Sequence, residues 1–114
     1  KRRLTLWRNV NYNSPMKEEC HLFFETLGTR LKTDIILKLK EKPLSVVELS
    51  KNFNQERSKV SHALISLLDC GFVEVRQDKK KRIYSLNRYT ILPLLNLVDK
   101  HIKKYCQVCK KQIK

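Results

Sequence analysis

Residues Pro43–Leu86 read PLSVVELSKNFNQERSKVSHALISLLDCGFVEVRQDKKKRIYSL, and the fold is decided there. Ser45 is a good N-cap, and Glu48 three residues on completes a capping box, so a helix starts beside them. Val46, Val47 and Leu49 turn its apolar side inward, and it ends near Phe53, whose ring plugs the corner. Asn54 is expected to cap the next helix, in which Val60, Leu64, Leu67 and Leu68 face the core. Gly71 stands where a C′ residue adopts positive φ, which only glycine does cheaply. FVEVR and RIYSL then alternate apolar with polar residues and are rich in β-branched and aromatic types, as paired strands are. The segment QDKKK joins them. It holds no Asn-Gly or Asp-Gly, so a loose, mobile tip is expected rather than a tight turn. The reading is a helix-turn-helix followed by a basic hairpin, or wing.

Two more helices precede this unit. Leu22, Phe23, Phe24 and Leu27 recur at helical spacing from Met16 to Leu27, and Gly28 offers a stop. A second helix spans about Thr29 to Lys40, with Leu31, Ile35, Ile36 and Leu39 buried, until Pro43 breaks it. After the wing, a last helix is expected from about Thr90 to near Lys110, with Pro93 tolerated in its first turn. Its stripe of Ile91, Leu94, Leu95, Val98, Ile102 and Tyr105 outlasts the small core available to receive it. That surplus points to a partner helix, most simply from a second copy of the chain. The fold class is therefore mainly α with a small β-hairpin (α+β), in the order α1-α2-α3-α4-β-β-α5, with dimerisation expected through α1 and α5.

The chain has 114 residues, enough for one compact domain. Residues 1–15 form a basic extension with a lone Trp7, read equally as a DNA-contacting arm, a vector-derived remnant, or a short docked element. Residues 16–110 are the folded unit and 111–114 a Lys-rich tail. Lys and Arg number 25 against 11 Asp and Glu, a formal net charge of +14. So large an excess, clustered as it is, attracts polyanions, and nucleic acid is the commonest for a domain of this size. No apolar run approaches the roughly 20 residues that span a bilayer, so no membrane partner is expected. Four cysteines are too few for a disulfide scaffold, and a reducing cytosol follows as the simpler setting.

In a helix-turn-helix the second helix reads bases with residues near its N-terminus. Here the outward set is Gln55, Arg57, Ser58, Ser61 and His62, joined by Lys59. Arg57 suits a bidentate bond to guanine and Gln55 one to adenine, each discriminating by about 1–3 kcal/mol. Ser58, Lys59 and Ser61 suit phosphates. The wing adds Arg76, Lys79, Lys80, Lys81 and Arg82 against Asp78 alone. Each cation that neutralises a phosphate steepens the log–log salt dependence by about 0.9. Nothing resembles a P-loop or a nucleophile–base–acid set, and the three histidines lie on different expected helices, so no catalysis and no small-molecule substrate is expected. Competing readings are an architectural or RNA-binding winged helix, and a protein–protein module that turns the wing on an acidic partner.

The stretch from Phe24 to Leu86 resembles the arsenic-repressor (ArsR/SmtB) family of winged-helix transcription factors. The resemblance rests on Phe24-x-x-Leu27-Gly28, Val47-Glu48-Leu49, Val60-Ser61 leading to Leu64, Leu67, Cys70-Gly71-Phe72-Val73 and Tyr84-Ser85-Leu86. It covers roughly residues 20 to 105. It implies a homodimer joined through its first and last helices, and a cytoplasmic, nucleoid-associated repressor of a prokaryotic cell that binds double-stranded DNA. The family's metal sites do not carry over. Where metal sensors have Cys-x-Cys, this chain has Leu44-Ser45-Val46. At the last-helix site it has Arg88, Thr90, His101 and Lys104, of which only His101 matches, and one His makes no tetrahedral zinc site. A conventional arsenic or zinc sensor is disfavoured, and no cofactor is expected there.

Cysteines of another kind remain. Cys106-Gln-Val-Cys109 is a C-x-x-C at the end of the last helix, and Cys20 lies on the first. If those helices pair, Cys20, Cys106 and Cys109 converge as a zinc site or a thiol–disulfide sensor, with Lys103, Lys104, Lys110 and Lys111 favouring thiolates. Cys70 reads as a buried packing residue.

Overall fold

The computed structural model describes residues 15–112; the basic extension before Pro15 and the final two residues of the tail lie outside the described residues. The elements run α1 (Pro15–Leu27), α2 (Arg30–Glu41), β1 (Leu44–Ser45), α3 (Val46–Phe53), α4 (Arg57–Asp69), β2 (Val73–Asp78), β3 (Lys81–Leu86), α5 (Ile91–Tyr105) and α6 (Gln107–Gln112). This is the expected helical order, mostly α with a small antiparallel sheet, enlarged by one strand and one helix.

Local chemistry sets most boundaries. Gly28 N–H donates to Glu25 O as α1 ends, and Thr33 Oγ1 donates to Leu27 O at 2.6 Å. Thr29 caps α2. The capping box of α3 forms as expected: Ser45 N–H donates to Glu48 Oε1 at 2.8 Å and Glu48 N–H to Ser45 Oγ at 3.3 Å. The core gathers Ile35, Ile36 and Leu39 of α2, Leu49 of α3, Val60, Ala63, Leu64 and Leu67 of α4, and Phe72, Val73, Tyr84, Leu86 and Ile91 beyond. Burying each large member stabilises the fold by about 1.5–3 kcal/mol. Phe23 of α1 reaches this core edge-on against Phe72, centroids 4.9 Å apart.

Five expectations need correction. Asn54 does not cap α4: it closes α3 in the left-handed region at φ 54°, and Glu56 stands at the α4 N-cap without a side-chain bond. Asparagine serves both roles because its short amide tolerates αL as readily as it caps. The sheet has three strands in the order β1-β3-β2, since Leu44 and Ser45 pair with Tyr84 and Ile83. The wing tip is tight, with Asp78 opposite Lys81 and only Lys79 and Lys80 in the turn. Lys79 there takes φ 60° without being glycine. The last helix breaks at Cys106, which is extended at φ −93° and ψ 96°. Cys70 is exposed rather than buried. No described helix is long and apolar enough to cross a membrane.

Candidate nucleic-acid interface

Helix α4 is held by its apolar side. Val60, Leu64 and Leu67 are fully buried, and the helix packs on α3, α2 and β2. That fixes the opposite side outward, where Arg57, Ser58, Lys59 and His62 are exposed and Ser61 is half-buried. Gln55 is exposed too, but in the turn before the helix, where its N–H donates to Ser50 O at 3.0 Å. Asn54, Gln55, Glu56, Ser58, Lys59 and His62 line one open concavity around the start of α4. Of the residues singled out for this helix, Gln55, Ser58, Lys59 and His62 share that concavity, with Gln55 in the turn before α4, while Arg57 and Ser61 lie outside its lining.

The wing's cations are arranged differently. Val73, Tyr84 and Leu86 anchor the base of the hairpin in the core, while every residue from Arg76 to Arg82 is exposed. The in–out alternation lapses there because the strands run past the core. The tip is locked from within by Gln77 Nε2 donating to Lys79 O at 3.0 Å. Arg76, Lys79, Lys80, Lys81 and Arg82 therefore ride on a hydrogen-bonded ribbon.

The ion pairs among the described residues are His21–Glu25, Arg30–Asp34, Lys38–Glu41 and Lys103–Asp99. None involves α4 or the wing, so the charge of both surfaces is left for other partners. The wing is also linked electrostatically to α3. The Ser45 backbone and hydroxyl hold the Glu48 carboxyl below its ordinary range, helped by the cations of Lys81 and Lys42. Neither Lys42 nor this role of Lys81 has a local sequence signature, since only the fold brings the charge of Lys81, beside the wing turn, to bear on α3.

Another residue missed in the sequence is Asn87. Its Nδ2 donates to Gly71 O at 2.9 Å, and its Oδ1 accepts from Tyr89 N–H at 2.9 Å and Thr90 N–H at 3.3 Å. Its backbone carbonyl accepts from Ile91 and Leu92. One side chain thereby ties the end of α4, the foot of the wing and the start of α5 together. An isolated Asn after a strand was the available signal.

The cysteines converge only in part. Cys109 N–H donates to Cys106 Sγ at 3.3 Å. A hydrogen bond to Cys106 and burial push the Cys109 thiol up, against the expectation that neighbouring lysines favour its thiolate. Cys20 is exposed on α1. No group of three or more His, Cys, Asp or Glu among the described residues is placed to hold a metal ion, so Cys20 does not join the pair within one protomer.

Comparison with known proteins agrees with this geometry. Residues 36–90 match the family model of the sugar-specific transcriptional regulator TrmB. No curated protein matches the chain. Among solved structures, Rv0081 of Mycobacterium tuberculosis superposes with a TM-score of 0.77 at 28% identity, covering 90% of this chain and all of that one, 100%. The homodimeric winged helix-turn-helix DNA-binding domain of Mb0332 from Mycobacterium bovis, a possible ArsR-family transcriptional regulator, gives 0.75 at 15% identity over 87% and 92%. The transcriptional repressor BigR of Xylella fastidiosa gives 0.64 at 25% identity over 78% and 88%. The chain is a winged helix-turn-helix protein with the fold of ArsR-type transcriptional regulators.

Proposed function

We propose that this chain is a homodimeric regulator of transcription that binds a specific double-stranded DNA sequence, acting as a repressor by occupying its operator. Helix α4 enters the major groove, where Arg57 and Gln55 read base edges while Ser58, Lys59, Ser61 and His62 hold its position. The wing grips the adjacent backbone through Arg76, Lys79, Lys80, Lys81 and Arg82. The observation that carries the reading is the charge left over: the α4 and wing cations have no carboxylate in ion-pair distance among the described residues. Crowding unpaired cations on one ribbon costs self-repulsion that a polyphosphate backbone removes. The likeness to a homodimeric DNA-binding domain and to a repressor supports the same assignment.

The second copy is expected on α1 and α5. Leu97, Val98 and Tyr105 of α5 and Leu22 and Phe24 of α1 are exposed, 44–66%. Apolar surface of that kind, continued along helices, is what a two-fold helical interface covers.

Affinity selection on random duplexes tests the reading. A regulator should prefer its selected site over random DNA by about 10³-fold or more. Equal affinity for all duplexes would instead indicate an architectural protein, and no binding at low salt would indicate a protein partner.

A further inference from the structure

Helix α5 ends at Tyr105 and the chain re-enters helix at Gln107, although neither proline nor glycine stands between them. Cys106 makes the break. Its extended backbone turns Sγ over the first turn of α6, where it accepts the Cys109 N–H at 3.3 Å. A serine in that place would cap better, because a hydroxyl oxygen is the stronger acceptor. Capping alone does not account for sulfur there. The Cys109 side chain is itself hydrogen-bonded to that of Cys106, so the two sulfurs lie within one turn of each other. Both residues are half-buried, open enough for a small reagent.

We propose that Cys106 and Cys109 are a thiol–disulfide exchange pair that reacts with low-molecular-weight disulfides of the glutathione class. Cys106, as thiolate, attacks one sulfur of the disulfide RSSR, forming Cys106–S–S–R and expelling RS⁻. Cys109 keeps its proton until that moment, because its bond to Cys106 and its burial both favour the thiol. It then gives the proton to RS⁻ or solvent and displaces the second RS⁻ from Cys106, closing the Cys106–Cys109 disulfide. The chain loses two electrons and two protons, that of Cys106 having passed to solvent when its thiolate formed, and RSSR gains both pairs to become two RSH. The proposal stands apart from DNA binding, since nothing in it uses α4 or the wing.

The full chain should be equilibrated in glutathione buffers of stepped oxidised-to-reduced ratio, quenched with acid, alkylated and mapped by mass spectrometry. The expected result is loss of both thiols together, a disulfide within the Cys106–Cys109 peptide, and no retained glutathione. Cys109→Ser should trap the Cys106–glutathione adduct that the parent chain resolves. Cys106→Ser keeps a cap for α6, verifiable by circular dichroism, and should abolish the disulfide. Stable adducts on both cysteines of the parent chain, cross-linked chains through them, or no reaction at ratios that modify exposed Cys20 would each overturn the proposal.

Discussion

Arg57 and Lys80 are both exposed cations outside every ion pair of the described residues, yet their settings differ. Arg57 opens a rigid helix seated on fully buried Val60 and Leu64, so its planar fork is aimed. Lys80 is a point charge in the wing turn. Arg57→Ala should therefore cost about 1–3 kcal/mol on the preferred site and relax base choice at one position. Lys80→Ala should weaken all duplexes alike and flatten the salt slope by about 0.9. Anisotropy titrations on matched and mismatched duplexes over a salt series separate the two, and equal sequence-independent losses would contradict this division. Glu48 supplies a different residue-scale test. Its folded carboxyl is held down chiefly by the Ser45 backbone N–H, so it binds a proton less readily than in the unfolded chain. The stability it contributes is complete above about pH 4.3, the unfolded value, and is lost as pH falls through the lower folded one. Glu48→Gln should flatten that acid limb in urea unfolding, whereas Ser45→Ala should cost about 1 kcal/mol at neutral pH as well.

The elements join at a few backbone positions, and these also decide what could be read in advance. Gly71 sits at φ 78° with nothing within 4 Å of where a Cβ would stand. Gly71→Ala should thus cost about 1–2 kcal/mol from backbone strain alone, with no repacking. Asn87→Ala removes three side-chain bonds that join α4, the wing and α5. It should cost about 2 kcal/mol and raise amide exchange at Tyr89 and Thr90 first. Gly71 and the capping box were legible because their signals are local: one residue type, or two at a fixed spacing. Asn54 was legible only as a boundary, since one residue type serves two kinds of cap. Strand β1 is two residues long and cannot display an alternation at all. The Lys79–Lys80 turn lacks the glycine that announces a two-residue hairpin, and its φ is imposed by the pairing of Asp78 with Lys81. Nothing in the polar, helix-forming sequence around Cys106 signals a break. The outward side of α4 was legible because burial of Val60, Ala63, Leu64 and Leu67 leaves the helix one face to solvent.

On the scale of the whole molecule, the unpaired cations of α4 and the wing lie on other elements than the exposed Leu97, Val98 and Tyr105 of α5, and the expected dimer face follows from that difference. The cations of α4 and the wing are hydrophilic and repel their own kind, so a second copy has little reason to approach there. Leu97 and Val98, by contrast, lie on α5 beyond the half-buried Leu94 and Leu95 that close the core, at 64% and 44% exposure. Tyr105 continues the line and Phe24 of α1 adds a ring at 66%. One charge placed among these groups would have to be desolvated on pairing, at a cost of several kcal/mol. Leu97→Glu should therefore shift the chain from dimer to monomer in sedimentation velocity while its circular dichroism and thermal midpoint hold, because an exposed side chain contributes little to the protomer's own core. Binding to a two-half-site operator should then fall steeply, since each half-site must be paid for without the other's help, whereas binding to an isolated half-site should change little. A Leu97→Glu chain that remains dimeric would move the interface elsewhere. One that unfolds would mean that α5 is held by this face within the protomer, and Val98→Ser, a milder change on the same face, would distinguish that case by leaving the fold intact and the dimer weakened.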